Sequence, residues 1–368
     1  MKGLYIHVPF CARKCAYCDF YSLAGRSELK ETYIDAVLRE ANACAGQSFQ
    51  TLYLGGGTPS LLGANLLKRL VTGLKGTFDL SGLEEATIEV NPDSATQSFL
   101  KVARKAGITR ISVGVQSLAD YELKSAGRIH TAIQAIQAIR LAKEAGFKAI
   151  SVDMIAGLPG QTWSTLKESL EAMMGLGVGH ISLYCLSLEE GTLMALDPPK
   201  DLPSEDEQAE VFEQARVYLK QSGFVHYEIS NFALPGQECR HNLNYWHGGE
   251  YLGLGPAASS HLNGRRYKNR ADLDAYLENP TRQIESVEKL HPEAKAAEEA
   301  MLRLRLLNEG LRIDELAVKF GSNSVAALKK RLERLAAKGM LDYDGSKYTV
   351  PSSRIMTSNP IFAEVVSD

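Results

Sequence analysis

Six short apolar segments rich in β-branched residues alternate with helical patterns over the first 190 residues, and this alternation constrains the fold most. The predicted strands cover residues 4–8, 51–54, 86–90, 110–115, 149–155 and 180–186. The helical patterns cover residues 29–43, 65–75, 97–106, 132–145 and 164–174. Such alternation predicts a parallel α/β sheet. Because six units are too few to close an eightfold barrel, we expect an open, partial (β/α)6 barrel with ligands at the carboxyl ends of its strands.

The chain changes character after the sixth strand. A proline- and charge-rich break at 197–208 leads into a helix at about 205–222, and an irregular, aromatic-rich stretch follows at 224–269. After a boundary near 285–291, the pattern is that of a winged helix, with helices at 295–308, 313–320 and 324–338 and a hairpin at 341–350. We therefore expect a partial barrel (1–190), a barrel-closing region (191–288) and a C-terminal winged-helix-like α+β domain (289–368).

The composition excludes several classes of protein. A net charge of −3 over 368 residues gives no electrostatic case for a nucleic-acid or membrane partner. No run of 18 apolar residues indicates a membrane span, and the chain begins directly with strand-like sequence rather than a secretory signal. We therefore expect a cytoplasmic protein whose six cysteines are reduced or bound to metal.

Three of these cysteines, Cys11, Cys15 and Cys18, lie close together with the spacing C-x3-C-x2-C. Three thiolates on one short loop can bind three corners of a four-iron cluster and leave the fourth iron open. A zinc site of the Cys3His type, completed by His7, is the alternative. Structural zinc usually uses two C-x2-C pairs, and the sequence has no second pair. The spacing therefore favours the iron–sulfur cluster.

A glycine-rich turn, Gly55, Gly56 and Gly57 followed by Thr58 and Pro59, comes directly after the second strand. Glycines let a backbone approach a ligand closely, although a tight strand-to-helix turn would need them as well. A cysteine loop of this spacing followed by such a glycine turn resembles the two motifs of the radical S-adenosylmethionine (SAM) superfamily. The resemblance implies a [4Fe-4S] cluster on the three cysteines. It also implies SAM, chelated to the open iron and bound near Gly56, Gly57 and Thr58.

Further polar residues fall at later strand ends or loops. Glu89 is flanked by β-branched residues, and a buried carboxylate is costly without a partner, so it is a candidate to bind the ribose hydroxyls of SAM. Gln116, Arg128 and Asp153 resemble SAM-contacting residues of the coproporphyrinogen-dehydrogenase branch of the superfamily. Tyr5 and Tyr17 resemble two residues that pack beside the cluster there. The alternative for each is an ordinary hydrogen bond or ion pair inside the barrel.

Two features separate this chain from the dehydrogenases of that branch. Those enzymes carry a fourth cysteine two residues after the third, and Phe20 stands at that position here. The segment from His241 to Trp246 also contains H-N-x-x-Y-W, which resembles the signature of HemW, a family of relatives that bind heme and pass it to acceptor proteins. The missing fourth cysteine and the H-N-x-x-Y-W segment both favour the HemW family over the dehydrogenases.

A neutral imidazole is a strong axial ligand for heme iron, and aromatic rings offer flat surface for a porphyrin. His241 is our candidate for the iron ligand, Cys239 could supply a thiolate instead, and His247 and His261 are weaker candidates. The alternative is that Tyr245 and Trp246 are core aromatics and that His241 is a hydrogen-bonded structural histidine.

The sequence leads to a heme chaperone as the first hypothesis, with a [4Fe-4S] cluster, SAM and heme as cofactors. No residue is assigned a catalytic role. The expected partners are heme and heme-accepting proteins, respiratory ones by family resemblance, and a cluster-dependent dimer is possible. The second hypothesis is an oxygen-independent coproporphyrinogen III dehydrogenase. A winged-helix regulator is remote, because the basic residues on the candidate recognition helix have the spacing of a solvated face.

Overall fold

The structure is a computed structural model that describes residues 1–367. Its strands are β1 (Lys2–Val8), β2 (Phe10–Cys11), β3 (Leu23–Ala24), β4 (Thr51–Gly56), β5 (Glu85–Val90), β6 (Arg110–Gln116), β7 (Ala149–Ala156), β8 (His180–Cys185), β9 (Val225–Glu228), β10 (Asn231–Ala233), β11 (Glu250–Leu254), β12 (Ser259–Leu262), β13 (Arg265–Asn269), β14 (Ile284–Glu288), β15 (Asp342–Tyr343) and β16 (Tyr348–Thr349).

Its helices are α1 (Lys30–Ala43), α2 (Gly63–Thr77), α3 (Gln97–Ala106), α4 (Asp120–Ser125), α5 (Ala132–Glu144), α6 (Trp163–Gly175), α7 (Leu193–Leu196), α8 (Glu205–Gln221), α9 (Arg240–Trp246), α10 (Leu273–Glu278), α11 (Pro292–Leu304), α12 (Ile313–Phe320), α13 (Ser322–Ala337) and α14 (Asn359–Val366). Short 3-10 turns lie at Ser27–Leu29, Pro59–Leu62, Pro92–Ser94, Pro280–Arg282 and Ser352–Thr357. None of the helices within residues 1–367 has the length and apolar character needed to span a membrane.

One twelve-stranded sheet organises the chain, in the order β14-β13-β12-β11-β1-β4-β5-β6-β7-β8-β10-β9. The six predicted strands are β1 and β4 to β8, and each pairs in parallel with the next of the six. The predicted partial α/β barrel is thus confirmed. The barrel is not closed, because β11 joins β1 in parallel and the antiparallel β12 to β14 continue the sheet outward.

The barrel strands alternate between an apolar outer face and a polar inner face. On β4, Leu52 and Leu54 are buried in the main hydrophobic cluster, whereas Tyr53 between them lines the barrel interior. The same period of two repeats on β5 to β8, since successive side chains in a strand point to opposite faces. Burial of the outer face under α1 to α6 stabilises the fold, and the polar inner face remains available for ligands.

Local sequence sets the ends of the covering helices. The side chain of Thr131 caps α5 by accepting from the amide of Gln134, which reaches back to Thr131. Ser204 and Glu207 form the same reciprocal cap on α8. Such boxes satisfy helix-end amides that would otherwise be unpaired. The five predicted barrel helices and the helix at 205–222 are all present.

The region predicted as irregular, 224–269, is more ordered than its sequence indicates. It forms β9, β10, α9 and the strands β11 to β13. Strands β9 and β10 extend one edge of the sheet, and β11 to β13 extend the other. These strands are three to five residues long and each contains polar or charged residues, so they lack the apolar run that marks a buried strand. Helices α4, α7, α10 and α14 were not predicted either.

The C-terminal part contains the three predicted helices and the hairpin β15–β16. Its hydrophobic cluster is separate from that of the barrel and includes Leu316, Leu332 and Tyr348. Helix α14 packs against α11 and α13, where Arg334 forms an ion pair with Glu364 at 2.9 Å. Part of the candidate recognition helix is therefore covered by the chain itself. The division of the chain at 190/191 and 288/289 stays a prediction.

A buried ion pair closes the amino-terminal end of the barrel. Arg110 Nε donates to Glu85 Oε2 at 2.8 Å, and the two residues are 4% and 5% exposed. Arg110 also donates to Ser151 and to the carbonyls of Gln237 and Glu238, just before α9. Glu85 accepts from the amide of His241 at 3.1 Å. The pair thus ties α9 to the floor of the barrel.

We expect Arg110→Met to lower the free energy of unfolding by about 3–5 kcal/mol, because it leaves the Glu85 charge buried without a partner. Urea unfolding of wild type and variant would measure the loss. The matched control is Arg240→Ala, which breaks the neighbouring but exposed pair with Glu84 and should cost less than about 1 kcal/mol. Equal losses from the two variants would contradict this assignment of stability to the buried pair.

Candidate functional site

A cavity of about 360 Å³ lies inside the barrel and opens toward the carboxyl ends of its strands. The residues that line it include all three cysteines of the C-x3-C-x2-C loop. From the strands come side chains of the polar inner face, among them Glu89, Gln116 and Asp153. Most of the predicted site residues therefore meet in one cavity, at the position expected for parallel sheets.

The cysteine loop is fixed by backbone hydrogen bonds at both of its sides. The amide of Ala16 donates to the carbonyl of Ala126 at 3.1 Å, and the carbonyl of Ala16 accepts from the amide of Met194 at 2.8 Å. The amide of Cys18 donates to the carbonyl of Cys15 at 3.3 Å. These bonds hold three half-buried thiols at the cavity, although the loop itself has almost no regular structure.

Arg128 places a positive charge beside the thiols. Its Nη1 donates to Cys15 Sγ at 3.3 Å, and its Nη2 donates to Asn91 Oδ1 at 2.9 Å and to the carbonyl of Gly114 at 2.8 Å. Burial raises the pKa of Cys18 to about 11, so binding of a metal would release a proton from this thiol.

The positions of the three thiols and of His7 favour a four-iron cluster over a single zinc ion. Among residues 1–367, no three His, Cys, Asp or Glu side chains converge closely enough to hold one metal ion. His7 uses both ring nitrogens elsewhere, Nδ1 with the hydroxyl of Tyr5 at 3.0 Å and Nε2 with the carbonyl of Tyr21 at 2.8 Å. A four-iron cluster binds each thiolate at a separate iron, so it does not need such convergence. The residues present fit a cluster with three cysteine ligands.

The glycine turn at the end of β4 packs against the cysteine loop. Gly56 has φ of 107°, and a Cβ on Gly57 would lie 2.7 Å from the carbonyl oxygen of Phe10. The amides of Gly57 and Thr58 donate to the carbonyls of Val8 and Phe10, and that of Gly56 donates to Glu89. These three amides are therefore occupied by bonds within the chain. An amino group bound here would have to donate to oxygen atoms instead.

Two half-buried carboxyl groups, Glu89 and Asp153, line the cavity. Glu89 accepts from the hydroxyl of Tyr53 at 2.8 Å and from the amide of Gly56 at 3.1 Å. Burial raises the pKa of Glu89 to about 8, and the charge of Asp153 acts in the same direction. Burial raises the pKa of Asp153 to about 6, opposed by hydrogen bonds from Ser182 and Ser112. No cation pairs directly with either group within the described chain, so both can receive donors from a ligand.

The remaining predicted contacts divide between two places. Gln116 lines the barrel cavity with φ of 65°, which is strained for a residue other than glycine and occurs where the ladder between β6 and β7 shifts register. Tyr17 lines the same cavity. Tyr5 does not: within residues 1–367 it faces a second cavity, and its ring stacks with Tyr53 at a centroid distance of 6.2 Å.

His241 is a buried, fully hydrogen-bonded histidine. Its Nδ1 is 2.8 Å from Thr51 Oγ1, its Nε2 is 2.8 Å from the hydroxyl of Tyr245, and its side chain is 1% exposed. Burial lowers the pKa of His241 to about 3, so the ring is neutral. In this conformation neither nitrogen is available to iron, because coordination would break one of the two bonds. Cys239 is also buried and donates to Glu85 at 3.4 Å.

A second cavity, of about 1110 Å³, lies beside the first on the other side of the cysteine loop. Its walls come from the inner face of β1 and β11 to β13 and from α9, α11 and α12. Tyr245 and Trp246 of the H-N-x-x-Y-W motif line it, together with Tyr251, Met301 and Phe320. Lys14, Asp19 and Phe20 line both cavities, so the loop that carries the cysteines forms the wall between them.

Several residues of the site were missed from the sequence. Tyr53, Ser112 and Ser182 lie on the inner faces of strands, and Asn91 joins Arg128 to Thr58 Oγ1 at 3.1 Å. The alternation of polar and apolar residues along β4 to β8 was the available signal, since in a strand it marks one face. Nothing local to Asn91 indicates its role.

Comparisons with known proteins agree with this arrangement. The sequence model of the radical SAM superfamily matches residues 5–173, and that of the HemN C-terminal domain matches residues 290–352. A Lactococcus lactis protein named heme chaperone HemW is 35% identical over 371 aligned positions, which cover 100% of this chain and 98% of that protein. The Escherichia coli protein of the same name is 34% identical, with 92% and 91% of the two chains covered.

The fold also has a counterpart among solved structures. Coproporphyrinogen III oxidase (HemN) from Escherichia coli, described as a radical SAM enzyme, superposes with a TM-score of 0.87. The match covers 100% of this chain and 90% of that one at 23% identity. At this identity the likeness shows the fold alone.

We expect Glu89→Gln to flatten the dependence of stability on pH. A carboxyl whose folded pKa is about 8, against an ordinary value of 4.5, holds its proton longer when folded, so stability falls as pH rises through this window. The variant should remove a slope of up to about 1.4 kcal/mol per pH unit and leave the parts that belong to Asp153, Glu40 and Glu228, whose pKa values burial also raises. Urea unfolding between pH 5 and about pH 8 measures it. Glu144→Gln, on the exposed face of α5, should keep the wild-type slope, and an unchanged slope in Glu89→Gln would refute the raised pKa.

Proposed function

The chain belongs to the HemW family of the radical SAM superfamily, and from this premise we propose that it is a heme chaperone. In this proposal it binds heme, a [4Fe-4S] cluster and SAM, and it transfers the heme to acceptor proteins. The names and extents of the HemW relatives support it over the whole chain. The radical SAM match supports the cluster and SAM over residues 5–173.

The observation that carries the proposal is the pair of adjacent cavities. The smaller one holds the three cysteines and a polar wall, which suits a cluster with SAM. The larger one is three times the size, at about 1110 against about 360 Å³, and is lined by aromatic residues of the H-N-x-x-Y-W motif. Large, mostly apolar cavities with a few polar groups are typical of sites for ligands such as porphyrins. One protein thus offers separate places for cluster and heme.

The residues of the smaller cavity have distinct tasks in this proposal. Cys11, Cys15 and Cys18 ligate the cluster, and Arg128 compensates the thiolate charge at Cys15. Glu89, Asp153 and Gln116 present acceptors and one amide to the hydroxyls and amino group of SAM, near Gly56, Gly57 and Thr58. When bound, the cluster supplies a single electron to SAM. The surrounding barrel excludes water and holds these groups in place.

A coproporphyrinogen III dehydrogenase remains the second candidate, because Gln116, Arg128 and Asp153 are all retained around the cavity. Against it stands Phe20, which is 63% exposed at the wall between the two cavities and supplies no thiol where those enzymes carry a cysteine. An aromatic ring at this place can contact a porphyrin but cannot ligate iron. This difference favours binding of a porphyrin over its oxidation.

The partners follow from the same proposal. Heme-accepting proteins, respiratory ones in the first instance, receive the heme, and a dimer that depends on the cluster is part of the hypothesis. Because thiols stay reduced in the cytoplasm, the three-cysteine site is expected to function there.

The direct test is an anaerobic titration of the cluster-loaded protein with heme, followed by its visible absorption spectrum. We expect saturable binding of about one heme per chain and transfer to an apo-acceptor. Incubation with coproporphyrinogen III, SAM and reductant is the parallel assay, and we expect no decarboxylated product. Absence of heme binding together with product formation would replace the chaperone with the dehydrogenase.

We also expect Gly57→Ala to weaken the cluster. A Cβ here would lie 2.7 and 2.9 Å from the backbone oxygens of Phe10 and Val8, so the cysteine loop must shift. Disturbed support of a metal site costs about tenfold or more in affinity. Iron and sulfide analysis after anaerobic reconstitution measures it. Gly76→Ala on α2, with no atom within 4 Å of its Cβ, is the control. Full cluster content in Gly57→Ala would show that the turn does not set the loop.

A further inference from the structure

The larger cavity is lined by two histidines, and their hydrogen bonds differ. His7 has both ring nitrogens bonded, to Tyr5 and to the carbonyl of Tyr21. His261, on β12, has its Nδ1 3.3 Å from the carbonyl oxygen of Gly249. A carbonyl only accepts, so Nδ1 carries the proton and Nε2 carries a lone pair. Nε2 has no hydrogen-bond partner within residues 1–367.

This arrangement is the one found at histidines that bind metal. Such a histidine almost always donates its second ring N–H to a carbonyl or carboxylate, which fixes the tautomer and orients the ring. The ring of His261 is half-buried and packs edge-on against Tyr251 at a centroid distance of 6.2 Å. His261 is therefore both oriented and accessible from the cavity, which His241 is not.

The charges around the cavity also suit heme. The lining has five acidic residues: Asp19, Glu250, Glu288, Glu298 and Glu299. The last three pair with Arg266, Arg303 and Lys319, Glu250 accepts from the amide of Asn263, and Asp19 lies on the cysteine loop. Three lysines of the lining have no ion-pair partner in the part of the chain that the structure describes: Lys14, Lys268 and Lys295. Lys268 lies near enough to His7 for its charge to contribute to the lowered pKa of that histidine, although burial is the larger cause. Unpaired ammonium groups at the rim of an apolar cavity are partners for carboxylates.

We propose that heme occupies the larger cavity with His261 Nε2 as the axial ligand of its iron, and with Lys268 and Lys295 binding its propionates. The proposal rests on heme binding as the function. In this arrangement the porphyrin lies among Tyr245, Tyr251 and Trp246. The iron is ligated from the sheet extension, outside the barrel that holds the cluster.

His241 then acts as a positioning residue. Its Nε2 is bonded to the hydroxyl of Tyr245, and the two rings are edge-to-face at 4.8 Å. Tyr245 in turn contacts Tyr251 at a centroid distance of 4.6 Å, and Tyr251 contacts His261. The first residue of the motif thus shapes the cavity wall through a row of aromatic contacts without touching the iron.

The barrel cavity is the competing location. His180 lines it and has a buried Nδ1 without a partner among the described residues, while its Nε2 is 2.9 Å from the hydroxyl of Tyr227. That nitrogen lies at the floor of a cavity of about 360 Å³ which the cluster and SAM would fill. The larger cavity has the volume for a porphyrin, and the Nε2 lone pair of His261 is unshared. Both observations favour His261 over His180 as the iron ligand.

The test is an anaerobic ferric heme titration of full-length, cluster-loaded protein, recorded by absorption and by electron paramagnetic resonance. We expect His261→Ala to lose the signature of histidine ligation and about tenfold or more in affinity, and added imidazole to restore the signature. His261→Tyr should produce a phenolate-ligated spectrum, which a purely structural role cannot do. His247→Ala, a nearby histidine that does not line the cavity, should behave as wild type.

The other variants separate ligation from positioning. We expect His241→Ala to weaken heme binding while the histidine signature remains. Lys268→Ala and Lys295→Ala should each cost about two- to fivefold in affinity with an unchanged spectrum, and Lys101→Ala on α3 should cost nothing. A wild-type spectrum in both His261 variants, or loss of the signature in His241→Ala alone, would overturn His261 as the ligand and leave the chaperone intact. If wild type binds no heme, both proposals fail.

Discussion

The buried ion pair of Glu85 and Arg110 allows the barrel to enclose a cavity with polar walls. A polar interior needs partners for every group it buries, and here the guanidinium of Arg110 meets a carboxylate, a serine hydroxyl and two carbonyls. The same network fixes residues 237–241, where α9 begins. Helix α9 then runs past β1, β4 and β11 to α11, so the floor of the barrel positions the wall of the neighbouring cavity. Breaking the pair would therefore disturb both cavities.

The cysteine loop is the second link between the two cavities. Its residues Lys14, Asp19 and Phe20 line both, and its backbone is bonded to the barrel at Ala16. A cluster on Cys11, Cys15 and Cys18 would order this loop, because three covalent ligands fall within eight residues. Order in the loop is then order in one wall of the proposed heme cavity. Binding of the cluster would thus change the affinity of this cavity for heme without any chemical conversion of the porphyrin.

Much of the barrel follows from its sequence, because its strands are short apolar segments rich in β-branched residues and the covering helices carry clear periodicity. The cysteine spacing, the glycine turn and the polar residues at strand ends also met in one cavity, as expected. The strands of 224–269 could not be predicted, because β11 to β13 are stabilised by pairing with β1, far away in sequence. Tyr5 was placed beside the cluster by family resemblance, but its side chain lines the larger cavity, next to Tyr53 of the barrel.

The histidines show most clearly where sequence reasoning ends. His241 lies in the recognisable motif, yet Thr51 and Tyr245 occupy both of its nitrogens. His261 lies in no motif, and its chemistry is set by one carbonyl, that of Gly249, which comes into reach only when β12 pairs with β11. A ring nitrogen is a ligand only when its lone pair is unshared and faces open space, and neither condition is written in local sequence. A motif can therefore mark the right cavity through its aromatic residues while its histidine serves as their support.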